Sequence, residues 1–100
     1  MIVAYILENC YYSAEAEKII KQHFKKHKFI RVQNKEEIKN EIKKKNKMNT
    51  FPQIFINYSK SDELLLGGHD DLVKYLNIQN EIKKNNLNND VLFLLSKYIK

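Results

Sequence analysis

The alternation of apolar and polar positions divides the first half of the chain into four predicted elements. Residues 2–7 are nearly all apolar and rich in β-branched side chains, which predicts a strand buried on both faces of a sheet. From residue 14 to residue 26 the apolar side chains recur at helical spacing, and a short strand follows at residues 29–32. Residues 35–45 carry two isoleucines four positions apart on an otherwise polar helix. The predicted order is therefore βαβα.

The second half of the chain predicts a hairpin followed by helices. The segment QIFINY after Pro52 is typical of a strand, and ELLL at residues 63–66 predicts another strand across the polar turn SKSD. Two strands joined by so short a turn should pair as an antiparallel hairpin. Residues 70–76 place their apolar side chains on one side of a helix, and residues 90–99 predict a strongly apolar final helix. We expect ββα here, with one extra helix at the end.

The composition indicates how many domains the chain forms and which cellular compartment suits it. The 100 residues are 43% hydrophobic and 30% charged, within the range of globular domains, and no repeat or linker interrupts them. We therefore expect one domain over residues 1–100. The single cysteine cannot form an internal disulfide, which indicates a reducing compartment and a cytoplasmic location. No apolar stretch approaches the roughly 18 residues of a membrane span, so we expect no membrane role.

The net charge and the spacing of possible metal ligands indicate which kinds of partner to expect. The formal net charge is +6, and lysine runs at residues 25–28, 43–47 and 83–84 lie on or beside predicted helices. Such runs could mark a nucleic-acid site, but mixed with Glu and Asn they are more often solvated helix faces, so we expect no nucleic-acid partner. The same positive field attracts small anionic ligands. His23 and His27 lack a third ligand to complete a zinc set, and we expect no metal.

The only cysteine lies where a polar turn becomes a helix. At a helix start the backbone N–H groups lack intrahelical partners and the peptide dipoles add partial positive charge, so a thiolate of Cys10 is stabilised there. Ser13, one turn along, can donate a further hydrogen bond to the sulfur. A lone cysteine is more often an inert core residue, but the polar Glu8 and Asn9 before it indicate exposure. Cys10 and Ser13 are therefore the candidate catalytic residues.

The segment NTFPQIFI contains a possible peptide-binding edge. Because Pro52 lacks an N–H and holds Phe51 in extended geometry, the backbone of Phe51 keeps free groups that a peptide could pair with as a short added strand. The alternative is an ordinary trans proline that only begins a strand. The sequence of this segment alone leaves both open.

The segment LGGHDDL contains a possible site for a charged ligand end. Paired glycines permit close backbone approach, and the N–H groups of His69 and Asp70 at a helix start can bind a carboxylate. The Asp70 carboxylate could then receive an ammonium group beside it. The alternative is that Asp70 only caps the helix.

Together the three segments resemble the glutaredoxin family, in its monothiol form. CYYS keeps the first cysteine, the aromatic residue and the serine of the active-site motif, TFP corresponds to its TVP, and GGHDDL to its GGxDDL. The match runs from about residue 1 to residue 76 and leaves residues 77–100 as a helical extension. The resemblance implies an α/β thioredoxin fold, a four-stranded mixed sheet flanked by helices, with glutathione as co-substrate.

The resemblance also implies roles for individual residues. Cys10 would be the nucleophile, and the Phe51 backbone would pair with the cysteinyl part of glutathione. His69 and Asp70 would hold its γ-glutamyl end. The full set placed around glutathione is Tyr12, Lys39, Phe51, Pro52, Gly68, His69 and Asp70, with the bond before Pro52 in the cis form.

Two positions depart from the family pattern. A lysine that pairs with the glycine carboxylate of glutathione is usual three residues before the cysteine, where this chain has Leu7. Either glutathione binds more weakly, or Lys39 supplies the cation from the other side. Tyr11 replaces the usual proline or small residue, which would narrow the groove.

The sequence thus supports three hypotheses for function. The first is a monothiol, glutathione-dependent oxidoreductase, a monomer that removes glutathione from glutathionylated proteins or small disulfides through Cys10. The second is a dimeric carrier or sensor of an iron–sulfur cluster ligated by Cys10 and glutathione. The third is a thioredoxin-fold binding module in which Leu7 and Tyr11 mark the loss of redox activity.

Overall fold

The computed structural model describes residues 1–83, which form a four-stranded sheet with helices on both faces. The strands are β1 (Ile2–Leu7), β2 (His27–Val32), β3 (Gln53–Ile56) and β4 (Leu64–Gly67). The helices are α1 (Tyr11–His23), α2 (Glu36–Asn46) and α3 (His69–Lys83). The predicted order βαβα followed by ββα is confirmed, and the helix predicted at residues 90–99 lies outside the described residues.

The sheet is mixed, as predicted, with strand order β2-β1-β3-β4. β1 pairs parallel with β2 from the Ile2–His27 pair onward and antiparallel with β3 on its other side. β3 and β4 form the predicted antiparallel hairpin. β1 is central because its side chains are apolar in both directions, and residues 2–6 are all buried.

The larger core lies between the sheet and the helices α1 and α3. Every second residue of β1 faces these helices, and the rings of Phe24 and Tyr75 stack between them at 6.3 Å. The buried residues of this core are Ile2, Ala4, Ile6, Ala16, Ile20, Ile54, Leu66, Leu72, Tyr75 and Ile78. This packing fixes the starts of α1 and α3 on the same face of the sheet.

A smaller core lies on the opposite face, under α2. Its buried members are Tyr5, Val32 and Phe55, against which the two isoleucines of α2 pack. The hydroxyl oxygens of Tyr5 and Tyr58 lie 2.8 Å apart, and this hydrogen bond raises the pKa of Tyr58 to about 12. The thin apolar stripe predicted for α2 is thus what attaches this helix to the sheet.

The bounds of α1 differ from the prediction by one turn at each end. The helix begins at Tyr11 rather than residue 14, because Cys10 already has the extended backbone of an N-cap. It ends at His23 because Phe24 is extended, with φ −125° and ψ 115°. The lysines and histidine that follow therefore lead into β2 instead of prolonging the helix.

The helix α3 is longer than the prediction of residues 70–76. It continues to Lys83, because Ile78 extends the buried stripe begun by Leu72 and Tyr75. Part of the segment predicted as a C-terminal extension is therefore a continuation of α3. Among residues 1–83, no helix combines the length and apolarity that crossing a membrane requires.

Candidate active site

Cys10 stands at the junction between β1 and α1. Asn9 before it has a left-handed backbone, with φ 57°, a conformation that Asn tolerates better than most residues. This turn brings Cys10 to the N-cap of α1, with φ −118° and ψ 121°. The residue is a free cysteine and is partly exposed rather than sealed in the core. Its side chain therefore lies at the positive end of the helix dipole and within reach of solvent.

Ser13 makes a different contact from the predicted one. Its side chain is fully buried, and its Oγ accepts a hydrogen bond of 3.1 Å from the backbone N–H of Leu7. The thiol of Cys10 makes no capping hydrogen bond to the helix. The expected hydrogen bond from Ser13 to the sulfur is thus replaced by one that ties the end of β1 to the first turn of α1. Ser13 positions the helix start that carries Cys10.

A groove of about 250 Å³ lies beside the start of α1. We call it the main groove, and its lining residues are Tyr12, Met48, Thr50, Phe51, Gly68, His69, Asp70 and Asp71. It brings together five of the seven residues predicted around glutathione, from both helix starts and from the loop before β3. The rings of Tyr12 and His69 lie 5.5 Å apart across it.

Phe51 lines the main groove just before β3, and Pro52 follows it. The peptide bond between them is cis, as the family resemblance implied. Pro52 is buried, and its carbonyl oxygen would lie 3.6 Å from a Cβ added to Gly68. The antiparallel register with β1 ends at the Tyr5–Gln53 pair, so the backbone of Phe51 lies beyond the paired part of the sheet.

Gln53, which was not among the predicted site residues, holds the loop that supplies Phe51. The side chain is fully buried in β3. Its Nε2 donates to the carbonyl oxygens of Met48 and Thr50 at 3.0 and 3.2 Å, and its Oε1 accepts from Asn46 Nδ2 at 2.8 Å. A polar residue at the start of an otherwise apolar buried strand was the available signal, because a buried amide needs partners.

The structure separates the roles of the two adjacent aspartates. Asp71 Oδ2 accepts a hydrogen bond of 3.1 Å from the backbone N–H of Gly68, the reach-back contact of a capping box. Asp70 is exposed and lies 3.1 Å from Nδ1 of His69. The residue that caps the helix is therefore Asp71, which was not among the predicted site residues. The carboxylate of Asp70 remains directed to the groove and solvent.

Gly67 makes the capping contact of Asp71 possible. Its φ of 129° is in a region that side chains disfavour, and a Cβ there would lie 2.2 Å from Asp71 Oδ2. At Gly68, by contrast, an added Cβ would meet its nearest neighbours at 3.6 Å, an ordinary contact. The first glycine is required by the backbone, and the second leaves room in the main groove.

Lys39 is not among the residues that line the main groove. Its Nζ pairs with Oε1 of Glu36 on the same helix at 2.9 Å. Leu7, which stands where the family usually has the lysine that Lys39 was expected to replace, packs against the smaller core. The structure therefore does not bring Lys39 to the residues predicted to act with it.

Cys10 itself is not among the residues that line the main groove; it lines a second cleft, of about 370 Å³. Among its lining residues are Leu7, Cys10, Tyr11, Ala14, Glu17 and Arg31. Nη1 and Nη2 of Arg31 both donate to the Glu17 carboxylate, and Nζ of Lys21 lies 2.8 Å from Oε2 of Glu17. The hydrogen bonds from Arg31 and then Lys21 lower the pKa of Glu17 to about 2.

The geometry of the site coincides with a family-level match. The glutaredoxin family model matches residues 2–59, which include Cys10, Phe51 and Pro52. This chain belongs to the glutaredoxin family. The residues of the GGHDDL segment lie beyond the matched range, so the structure alone joins them to the site. One cysteine in the chain is consistent with a monothiol glutaredoxin.

Solved glutaredoxins have the same fold. The chain is 26% identical to the solution structure of glutaredoxin from Brucella melitensis, with a TM-score of 0.58 over 83% of this chain and 84% of that one. It is 16% identical to a buckwheat glutaredoxin in a crystal structure with glutathione, with a TM-score of 0.53 over 84% of this chain and 69% of that one. The predicted thioredoxin fold is confirmed. None of the curated proteins compared with the chain matches it significantly.

Proposed function

We propose that this glutaredoxin is a glutathione-dependent thiol–disulfide oxidoreductase that uses Cys10 alone. Its substrates are mixed disulfides between glutathione and a protein or a small thiol. The observation that carries the proposal is the main groove, which unites Tyr12, Phe51, Gly68, His69 and Asp70 beside the helix start that bears the only cysteine. Tyr12 lines the groove and follows Cys10 by two residues, so the groove and the sulfur share one helical turn.

The main groove offers complementary partners for the γ-glutamyl and cysteinyl parts of glutathione. The first backbone N–H groups of α3 have no intrahelical partners and bind the γ-glutamyl carboxylate. The exposed carboxylate of Asp70 receives the neighbouring ammonium group. The Phe51 backbone, beyond the paired part of β3, pairs with the cysteinyl residue as an added strand. The net charge of +6 favours the approach of this anionic tripeptide.

The reaction has two thiol–disulfide exchange steps, and each step breaks one disulfide bond and forms another. The thiolate of Cys10 attacks the glutathione sulfur of the mixed disulfide, forms a bond to it and expels the other thiolate, which takes a proton from water. A second glutathione thiolate then attacks the glutathione sulfur on Cys10. Oxidised glutathione leaves, and Cys10 returns as a thiolate. The helix start stabilises this thiolate in both steps.

Reduction of a glutathionylated peptide tests the proposal. Wild type and Cys10→Ser are compared with excess glutathione at neutral pH, and release of the peptide thiol is followed. We expect catalysis by wild type and none by Cys10→Ser, since serine is a much weaker nucleophile than a thiolate. Equal rates for the two proteins would refute the proposed function.

A second assay separates the proposal from the cluster-carrier alternative. The chain is incubated anaerobically with iron, sulfide and glutathione, and its absorbance and size are measured. We expect a colourless monomer. A coloured dimer that loses its colour in the Cys10→Ser variant would favour a cluster carrier instead.

A further inference from the structure

The second cleft touches the reactive cysteine, and the proposed function does not use it. Cys10 and Tyr11 line this cleft, whereas Tyr12 lines the main groove. The rings of Tyr11 and Tyr12 contact each other at 5.3 Å, and both are largely exposed, so they form a ridge between the two depressions. Glutathione in the main groove leaves the cleft on the other side of the ridge free.

We propose that the second cleft binds the polypeptide part of the mixed disulfide and selects an apolar side chain next to the glutathionylated cysteine. This inference rests on the proposed function, because it assigns the substrate of the same reaction.

The reaction itself brings the polypeptide to this cleft. In the first exchange the leaving sulfur is separated from Cys10 by the glutathione sulfur, about two S–S bonds or about 4 Å. Each further residue of the polypeptide spans about 3.5 Å. The residue next to the modified cysteine is thus within reach of a cleft that touches Cys10.

The lining of the cleft favours an apolar side chain over a charged one. Most of its surface is apolar, and Leu7, Tyr11 and Ala14 are among the residues that line it. The Glu17 carboxylate at this cleft already accepts hydrogen bonds from Arg31 and Lys21. Glu8 also lines the cleft, but it is exposed to solvent, so an ion pair with it would contribute little, whereas an apolar side chain gains by burial.

A peptide series tests the inference. Glutathionylated peptides that differ only in the residue after the cysteine, Leu, Asp or Lys, are compared with glutathionylated cysteine, which has no neighbour. For wild type we expect kcat/KM for the Leu peptide to exceed that for the Asp and Lys peptides about fivefold to tenfold. Equal values for the three peptides would overturn the inference while leaving the proposed function intact.

Two matched variants locate the selectivity. Ala14→Glu puts a carboxylate into the cleft, and Gln22→Glu adds the same charge at an exposed position of α1 that is not among the cleft residues. We expect Ala14→Glu to abolish the preference for Leu and Gln22→Glu to keep it. Tyr11→Ala, at an exposed position that the fold does not need, should reduce the preference several-fold. Equal preference in wild type, Ala14→Glu and Tyr11→Ala would overturn the inference.

The same series shows which proposal has failed. If wild type reduces none of the glutathionylated substrates, including glutathionylated cysteine, the proposed function is wrong and the inference falls with it. If glutathionylated cysteine is reduced but the peptides show no preference, only the inference is wrong.

Discussion

Tyr12 and His69 belong to different helices, yet their rings lie 5.5 Å apart and join the start of α1 to the start of α3. Packing of both helices on the same face of the sheet makes this contact possible, as the stacking of Phe24 on Tyr75 shows. Tyr12 brings the groove to the turn that carries Cys10, and His69 brings it to the helix start that would bind a carboxylate. The ring pair therefore sets the distance between the two ends of the site.

Replacing His69 tests the role of this ring contact. In His69→Ala the Tyr12 ring loses its partner, and we expect KM for the glutathionylated peptide to rise about threefold to tenfold, the range that an aromatic pair contributes. His69→Phe keeps a ring there and removes the hydrogen-bonding partner of Asp70, and we expect KM near that of wild type. A wild-type KM in the Ala variant would contradict this role.

The two adjacent glycines should respond differently to alanine. Gly67→Ala places a Cβ against the Asp71 carboxylate at a strained φ, so we expect the free energy of unfolding to fall by about 1–3 kcal/mol. Gly68→Ala has room for its Cβ and should change it by less than about 1 kcal/mol. Denaturant unfolding of both variants measures the difference. Equal losses would contradict the assigned geometry.

Gln53 should stabilise both the fold and the main groove. Gln53→Leu leaves the carbonyl groups of Met48 and Thr50 and the amide of Asn46 without their partner, and each such loss costs about 1–3 kcal/mol if the group stays buried. We expect a loss of about 3 kcal/mol in unfolding free energy and a higher KM. Asn46→Ala removes one of the three hydrogen bonds and should cost about 1 kcal/mol. A stable Leu variant with unchanged KM would show that the loop holds without Gln53.

The ion pair of Glu17 predicts a pH dependence of stability. Because folding lowers the pKa of Glu17 from 4.5 to about 2, its contribution is complete above about pH 4.5 and is lost as the pH falls toward 2. We expect Glu17→Gln to lower the free energy of unfolding by about 1 kcal/mol at pH 7, a value reduced for the exposure of Arg31 and Lys21. At pH 2 the difference from wild type should vanish.

Glu15→Gln is the matched control for this effect. Glu15 has a longer contact of 3.6 Å with Lys18 on the same helix, so its replacement should change stability less. Denaturant unfolding of wild type and both variants at pH 7 and pH 2 gives the comparison. A Glu17→Gln effect that persists at pH 2 would assign the stabilisation to packing instead of charge.

The fold was predictable because the local sequence of each element indicates whether it is a strand or a helix. β1 could be recognised as a central strand because its residues are apolar in both directions, and the two isoleucines of α2 sufficed to attach it. The bounds of α1 were harder to predict from sequence, because they depend on the backbone conformations of Cys10 and Phe24 at the helix ends. The length of α3 was underestimated because the polar Asn77 follows Leu76, and only packing shows that Ile78 beyond it is buried.

The residues that line the site could be predicted from the sequence, but their hydrogen bonds could not. The segments CYYS, TFP and GGHDDL indicated five residues that line the main groove. Sequence could not distinguish Asp70 from Asp71 as the cap, since both are close to the helix start. It also could not show that the Ser13 hydroxyl accepts from Leu7, or that Lys39 is held by Glu36. These pairings depend on side-chain directions that tertiary packing fixes.

Intact-mass measurement of the chain during turnover tests the role of Cys10 most directly. Wild type is mixed with a glutathionylated peptide, and its mass is followed before and after free glutathione is added. The account predicts one glutathionyl group on Cys10, removed by the added glutathione, and no adduct on Cys10→Ser. Consumption of the peptide by a wild-type chain that never carries this group, or at the same rate by Cys10→Ser, would contradict it.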